Sequence, residues 1–447
     1  MTKSMTKGEP LGLIFEFALP LLLGNLLQQT YNMIDAAIVG RVLGSGALAA
    51  VGASSSVQFL VMGFCIGICA GFGVPLASAF GAGDSRKMKR VIKSACLLTA
   101  VFAIIITTAC GVLCSSILHL LQTPDDIFRS AYLYLFIIFM GLPFSLLYNL
   151  LASLLRAVGD SRTPFMFLAV SAASNIILDI LFIPVFGLGC GGAAAATITA
   201  QGLSGLMCLV YAVRKYPELL PDRQTPVTGQ DVKNLLLMGI PMGLQYSITA
   251  IGSMVMQSAN NGLGSVYISG FTAGMRIKQL IMCPFDAVAT AVSVFCSQNS
   301  GAGEYNRINS GLAKGLAVSV SYGVIAGAVL IFFGRQLSGI FIKQDEAAVL
   351  DAAAKYLRCL GFFYPVIGFL NVCRMTVQGL GYSVRAILSG VMEMIARIFV
   401  SKVFVPVYGF TAICFADQTA WVAACLYIVP TCFYCIWKQV SRGKRQE

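Results

Sequence analysis

Phe182-Ile183-Pro184-Val185-Phe186-Gly187 returns as Phe404-Val405-Pro406-Val407-Tyr408-Gly409, at an offset of 222 residues. Two further pairs keep nearly that spacing. Gly81-Ala82-Gly83-Asp84 matches Gly301-Ala302-Gly303-Glu304 at 220, and Leu19-Pro20 matches Ile240-Pro241 at 221. One such match is chance. Three that agree this closely read as a duplication, so the 447-residue chain is taken as two copies of one half.

Composition says what each half is made of. The chain is 57% hydrophobic and only 11% charged, with a mean hydropathy of +0.81. A soluble domain carries about 25% charged residues, because its whole surface must be solvated. The deficit means that much of the outside faces lipid. It excludes a soluble enzyme, a disordered chain and a nucleic-acid-binding domain.

A span needs about 20 apolar residues. Twelve such runs lie near 13–38, 47–80, 93–118, 128–155, 163–184, 191–213, 234–258, 265–299, 310–333, 355–378, 386–406 and 411–436. They are continuous and too long for the alternating strands of an outer-membrane barrel. The expected fold is an all-α polytopic membrane protein, with twelve transmembrane helices in two pseudo-symmetric six-helix lobes. Residues 1–213 form the N-lobe (helices 1–6). The most polar stretch, 214–233 with three prolines, forms a cytoplasmic linker, and 234–447 form the C-lobe (helices 7–12 and a basic tail). Six is even, so both halves enter the membrane in the same direction and form a parallel repeat. Transporters built this way place their sites between or within the bundles and alternate access by rocking one against the other.

The net charge of +12 reads as an orientation signal rather than as an acidic partner. With the N-terminus inside, the inner segments hold about nineteen Lys and Arg, including Lys3, Lys7, Arg86, Lys87, Lys89, Arg90, Lys93, Arg214, Lys215, Lys438, Arg442, Lys444 and Arg445. The outer loops hold about five: Arg41, Arg129, Arg335, Lys343 and Lys402. Both termini are therefore expected in the cytoplasm, with the chain in the cell (plasma) membrane. The start of the chain shows a long helix containing Pro20, without the short apolar core and cleavage site of a signal peptide. Most of the fifteen Cys sit in apolar runs and read as small hydrophobes. Cys432-x-x-Cys435 lies within such a run, beside Phe433 and Tyr434.

Ionisable groups at membrane depth cost at least about 2.5 kcal/mol each and are functional by default. Gln28, Tyr31, Asn32 and Asp35 recur at three- and four-residue spacing, so they share one face of the first span. Asn175 and Asp179 share a face of the fifth, at a comparable depth. Two carboxylates and an amide suit a proton or a hard cation such as Na⁺; the alternative is hydrogen-bonded glue between helices. In the second half Arg397 stands at the counterpart of Asn175, and Glu393 precedes it by four residues. That pair is open to two readings, a neutralised structural pair or a substrate contact. Asp286 sits mid-span without a sequence-local partner, and Asp417 follows the start of the last span. These acids, against few bases, favour a cationic cargo. Gly187-x-Gly189-x-x-Gly192 matches a dinucleotide fingerprint but lacks a preceding strand. Gly63, Gly67 and Gly71 suit close helix contact. His119, the single His, makes no metal site alone. No phosphate loop, H-E-x-x-H or serine elbow is present, so neither an enzyme nor an ATP-driven pump is expected.

The pattern resembles the multidrug and toxic compound extrusion (MATE) family, bacterial type, over essentially the whole chain. The residues that carry it are Leu19-Pro20, Gln28, Tyr31, Asp35, Gly40, Gly44, Gly81-Ala82-Gly83-Asp84, Arg156-x-x-Gly159-Asp160, Asn175-x-x-x-Asp179, Gly192-Ala193-Ala194 with Thr197, and Gln298-Asn299-x-Gly301-Ala302-Gly303. The resemblance implies a V-shaped cavity between two lobes and efflux of cationic or amphiphilic compounds driven by inward H⁺ or Na⁺. It implies an ion site of Asp35, Asn175 and Asp179, with Tyr134, Asn149 and Thr197 around them and Na⁺ as one occupant. Pro20 would be the hinge of the first span. Two departures leave the coupling ion open. Ala152 stands where some relatives have Asn, and the seventh span offers Gln245 and Gln257 in place of the acid of the Na⁺-coupled branch.

The expected function is a secondary-active antiporter that exports organic cations by alternating access, with no cofactor beyond the coupling ion. Gln28, Tyr31, Gln245, Gln257, Asp286, Glu393 and Arg397 would shape the substrate cavity. The expected partners are small-molecule organic cations and membrane lipids, with the chain acting as a monomer. The alternatives are a flippase for lipids or lipid-linked precursors, which calls for a cationic cavity, and an intramembrane enzyme, which calls for a catalytic set.

Overall fold

The computed structural model describes residues 4–443 apart from 218, 219, 223 and 344. Lys3, Lys444 and Arg445 of the inner basic set, and those three linker positions, lie outside the described residues. No strand is present among the described residues. The helices are α1 (Pro10–Leu43), α2 (Ser45–Gly81), α3 (Ser85–Leu120), α4 (Asp125–Met140), α5 (Leu142–Ala157), α6 (Arg162–Ile180) and α7 (Gly189–Lys215). The second half holds α8 (Gly229–Asn261), α9 (Ser265–Gly301), α10 (Tyr305–Ser338), α11 (Ala347–Gly379), α12 (Ser383–Phe399), α13 (Val405–Tyr408) and α14 (Phe410–Gly443).

Among the described residues ten helices are long and apolar enough to cross a membrane alone, and α4 with α5, bent by 45°, makes an eleventh. The bend falls at Gly141, where a Cβ would collide with Ile198 of α7. Absence of a side chain lets α7 approach there, and Pro143 restarts the helix. The twelfth span is α12, which has 17 residues and continues through a π-helical turn at Val400–Phe404. Its counterpart is α6, which ends in the π-helical turn Leu181–Val185. The first turn overlaps the Phe182–Gly187 stretch, whereas the second ends at Phe404, where the matching Phe404–Gly409 stretch begins. Bulky apolar side chains such as Val112, Leu120, Phe332 and Leu426 remain more than 70% exposed, as a lipid-facing surface requires.

The duplication reaches the backbone. Gly44, Gly83, Gly159 and Gly187 all take positive φ, and so do Gly264, Gly303, Gly381 and Gly409 at the matching positions. A side chain is strained in that conformation, so glycine is retained at each of these turns. After two of them an Asp caps the next helix. Asp84 Oδ1 accepts from the Lys87 amide at 2.9 Å, and Asp160 Oδ1 from the Thr163 amide at 3.0 Å. The motif Gly187-x-Gly189-x-x-Gly192 joins the π-helical turn to α7 and has no strand before it, so it has no nucleotide-binding context.

Contacts group the chain into two compact units, and the division differs from one drawn at the linker. Leu23–Gly243 form unit 1, whereas Met5–Leu22 pack with the chain from Leu244 onward as unit 2. The first half of α1 therefore belongs with the second repeat, and the first half of α8 with the first. Each helix changes unit just beyond its paired proline, Pro20 or Pro241. Proline removes a backbone hydrogen bond and lets the two halves of a helix follow different neighbours.

Unit 1 is built on Phe72, Phe139, Leu142 and Leu146, with Leu235 of α8 buried among them. The first half of α8 comes close because Gly67 and Gly71 of α2 face Gly243 and Gly239. The linker is held to the start of α3. Lys89 pairs with Asp222 at 3.2 Å, Arg90 with Asp231 at 3.3 Å, and Lys93 Nζ donates to the Thr225 carbonyl at 2.6 Å.

Unit 2 centres on Phe285, Phe295, Tyr356, Tyr364 and Trp421, with Met5, Ile14 and Phe17 of the N-terminal segment in the same core. There the Met5 amide donates to Gln298 Oε1 at 2.8 Å. Arg307 Nη2 donates to the carbonyls of Met5 and Gly8, and its Nε to Asn299 Oδ1. Gln298 and Asn299, in the last turn of α9, are fully buried at this clasp.

Candidate functional site

Asp35 lies on α1 beyond Pro20, and Asp179 one residue before the end of α6, where the π-helical turn begins. Both belong to unit 1. Asp179 is wholly buried, Asn175 one turn earlier is 3% exposed, and Asp35 is half-buried. The two carboxyl groups lie within hydrogen-bonding reach of each other. Asp35 Oδ1, both Asp179 oxygens and both polar atoms of the Asn175 side chain find no other protein partner.

Buried polar atoms without partners are rare in folded proteins. Two ionised carboxylates in contact repel strongly in a low dielectric, and neither can donate to the other. One proton or one cation between them removes the repulsion and supplies the missing partner together. The oxygen donors present, two carboxyl groups and an amide, also fit a hard cation. Among the described residues no cluster of three or more His, Cys, Asp or Glu could hold a metal ion, so the site is a two-carboxyl one.

The surrounding residues divide into two groups. Tyr134 is buried beside both carboxyls, and its hydroxyl donates to Gln58 Oε1 at 3.4 Å. Tyr31 bonds Gln28 and lies near Asp35, as their shared helix face requires. Asn149 and Thr197 are placed differently. Asn149 Nδ2 donates to the Ser145 carbonyl at 2.8 Å and Thr197 Oγ1 to the Ala193 carbonyl at 3.0 Å, each on its own helix. Gln58 carried no sequence signal, since a lone Gln in an apolar helix has no spacing to betray it.

Unit 2 holds a charged network that the sequence reading captured only in part. Arg397 Nη2 pairs with Glu393 Oε2 at 3.4 Å, and Arg397 Nε with Asp417 Oδ1 at 3.0 Å. Glu393 also pairs with Arg374, whose Nε donates to Ser389 at 2.9 Å. Asp417 Oδ2 accepts from Lys278 Nζ at 2.5 Å and from the Tyr356 hydroxyl at 3.0 Å. The Glu393–Arg397 spacing was legible, but Lys278 and Arg374 come from α9 and α11. The supposed surplus of acids at membrane depth therefore does not hold in this unit, where Asp286, Glu393 and Asp417 are matched by Lys278, Arg374 and Arg397.

The other cavity candidates fall at different levels of access. Gln245 is buried, with Oε1 accepting from Gln378 at 2.6 Å. Gln257 is half-buried and donates to Asn261 at 2.9 Å. Asp286 is exposed mid-span, accepting from Asn371 of α11 at 3.2 Å. An exposed carboxylate at that depth cannot face lipid and must meet water. His119 Nδ1 bonds the Ser115 carbonyl, and its ring lies against Phe128. All fifteen cysteines are free.

The sequence profile of the MatE family matches residues 20–181 and again 241–403, once in each repeat. The chain belongs to the MatE family. Members of this family are multi-span membrane transporters rather than enzymes. Among MatE relatives, the Bacillus subtilis (strain 168) protein named "Probable multidrug resistance protein YpnP" is 32% identical, over 84% of each chain. A second from the same organism, "Probable multidrug resistance protein YoeA", is 28% identical over 82% of this chain and 80% of its own. A solved outward-facing multidrug resistance MATE transporter superposes with a TM-score of 0.90. It covers 97% of this chain and 98% of its own at 19% identity, which establishes the common MatE fold.

Proposed function

We propose that this protein is a secondary-active exporter that moves organic cations outward in exchange for inward H⁺ or Na⁺. The observation that carries the reading is the contact between Asp35 and Asp179 in unit 1, with the orphaned atoms of Asn175 beside it. Such a site takes up one cation and releases it when the surroundings change. The multidrug resistance names of the relatives support a small, chemically broad substrate class. Water-accessible Asp286 of unit 2, with Gln257, would attract an organic cation, while Glu393 and Arg397 are engaged within their own network.

Coupling follows as competition. With the carboxyl pair occupied by H⁺ or Na⁺, negative charge in the transporter falls and an organic cation is held less tightly. Ion entry thereby promotes cargo release on the outer side. A lipid-linked phosphate cargo would need free buried cations, whereas Arg374, Arg397 and Lys278 are ion-paired. The test is uptake of ethidium by proteoliposomes with independently imposed pH and Na⁺ gradients. Wild type should transport under one gradient, and Asp35→Asn under neither. Equal rates and equal ion dependence in the two proteins would overturn the proposal.

A further inference from the structure

The two repeats treat one helix start differently. In unit 1, Asp160 precedes α6. Its Oδ1 accepts from the Thr163 amide at 3.0 Å and its Oδ2 from the Thr163 hydroxyl at 2.7 Å. The Tyr216 hydroxyl, just past the end of α7, donates to the same Oδ2 at 3.4 Å. A buried carboxylate thus satisfies that corner of the fold from within. The offset of 222 that pairs Gly159 with Gly381 and Gly187 with Gly409 puts Tyr382, Arg385 and Lys438 at the positions of Asp160, Thr163 and Tyr216. The carboxylate has become a tyrosine, and both of its partners have become cations.

The same three positions meet in unit 2. Arg385 lies 5.3 Å from the centre of the Tyr382 ring and Lys438 5.9 Å from it, while Arg385 also lies 5.0 Å from the ring of Tyr434. Gln439 Nε2 donates to the Leu380 carbonyl at 3.3 Å, which holds α14 against the turn before α12. Tyr382 makes no side-chain cap, and the Arg385 amide donates instead to the Tyr382 carbonyl at 2.9 Å. That amide is therefore satisfied, and the open chemistry lies in the side chains. Among the described residues neither cation is paired with a carboxylate. The guanidinium reaches Cys435 Sγ at 3.6 Å and the Tyr434 hydroxyl, and a five-donor fork keeps N–H groups to spare. Attraction to a ring face is weak beside a charge-assisted hydrogen bond.

Both cations are half-buried, and Val384, Phe433, Tyr434 and Trp437 beside them in sequence are exposed. Basic and aromatic side chains together at helix ends mark the depth of lipid headgroups. We propose that Arg385 and Lys438 hold the phosphate of an acidic phospholipid, which provides at α12 the negative charge that Asp160 provides at α6. Phosphate oxygens accept from the guanidinium and the ammonium, and the acyl chains lie along the exposed apolar side chains of α12 and α14. Those side chains favour a lipid over free phosphate, which has no use for them. The lipid is a resident ligand of unit 2, separate from the transported cargo and from the carboxyl pair of unit 1.

The site is independent of the ion-coupled reading, and its test needs no transport. Native mass spectrometry of the detergent-solubilised protein, with equimolar phosphatidylglycerol and phosphatidylcholine, counts the lipid retained. Two cations at an anionic headgroup should give wild type a preference for phosphatidylglycerol of roughly tenfold or more. Arg385→Gln with Lys438→Gln should remove it, whereas Lys233→Gln with Lys314→Gln, at two exposed lysines elsewhere, should keep it. Tyr382→Asp rebuilds the arrangement of unit 1 and should release the lipid although both cations remain. It also serves if the Arg385 and Lys438 double variant does not fold. Tyr382→Phe keeps the ring and should hold the lipid. An equal preference in wild type and in the Arg385 and Lys438 double variant, or its loss in the Lys233 and Lys314 control, overturns the assignment. So does retention in Tyr382→Asp. If inorganic phosphate removes the preference and sodium chloride of equal ionic strength does not, the site takes the free anion and the lipid proposal is overturned.

Discussion

Gly67 of α2 meets Gly243 of α8 backbone against backbone: a Cβ placed on Gly67 would lie 2.6 Å from the Gly243 Cα. Gly71 faces Gly239 in the same way. Two glycine pairs, one turn apart, therefore decide that the first half of α8 packs in unit 1. Gly67→Val should force the helices apart and cost about 1–3 kcal/mol, as overpacking does. Gly52→Ala on the same helix, where no atom lies within 4 Å of the added Cβ, should be neutral or mildly stabilising. Thermal unfolding of the detergent-solubilised proteins compares them, and equal midpoints for Gly67→Val and wild type would refute the close-packing argument.

Glu393 holds two arginines in an environment that excludes water. Glu393→Gln leaves Arg374 and Arg397 without their shared carboxylate, and removal of one member of a buried pair costs about 3–5 kcal/mol. The double change Glu393→Gln with Arg374→Gln should recover part of that loss, because it restores the balance of charge. Chemical or thermal denaturation of the four proteins of the cycle gives the coupling.

The carboxyl pair behaves as one site or as two. If Asp35 and Asp179 share one coupling ion, Asp35→Asn and Asp179→Asn each abolish gradient-driven uptake. The double variant should then be no worse than either single change. Independent, additive losses in proteoliposome uptake would show that the two carboxyls act separately.

Arg307 clasps the carbonyls of Met5 and Gly8 while holding Asn299. Arg307→Ala should leave unit 2 folded but free the N-terminal segment, raising amide hydrogen exchange in residues 4–9. Lys93→Ala should do the same for linker residues 224–228 and not for the N-terminal segment. Mass-spectrometric exchange of the two peptides distinguishes a local clasp from general loosening.

Much was legible from residue order alone, and for plain reasons. Lipid imposes a hydropathy that no soluble fold shows, so the spans could be read directly. Duplication left its mark wherever geometry demands one residue type, as at the positive-φ glycines and at Pro20 and Pro241. Helical periodicity placed Gln28 with Tyr31 and Asp35, Asn175 with Asp179, and Glu393 with Arg397, since neighbours along one helix face are a matter of spacing. Partners on different helices leave no such trace. That Asp35 meets Asp179, that Gln58 meets Tyr134, and that Lys278 and Arg374 engage the acids of unit 2 depended on how helices distant in sequence pack. The exchange of helix halves was hidden for the same reason: connectivity suggested a boundary at the polar linker, but proline breaks and glycine contacts drew the packing boundary inside α1 and α8. Sequence alone therefore determined a duplicated helical membrane transporter and its polar faces; tertiary structure decided which charges oppose one another, because ion pairing depends on distance through space and not along the chain.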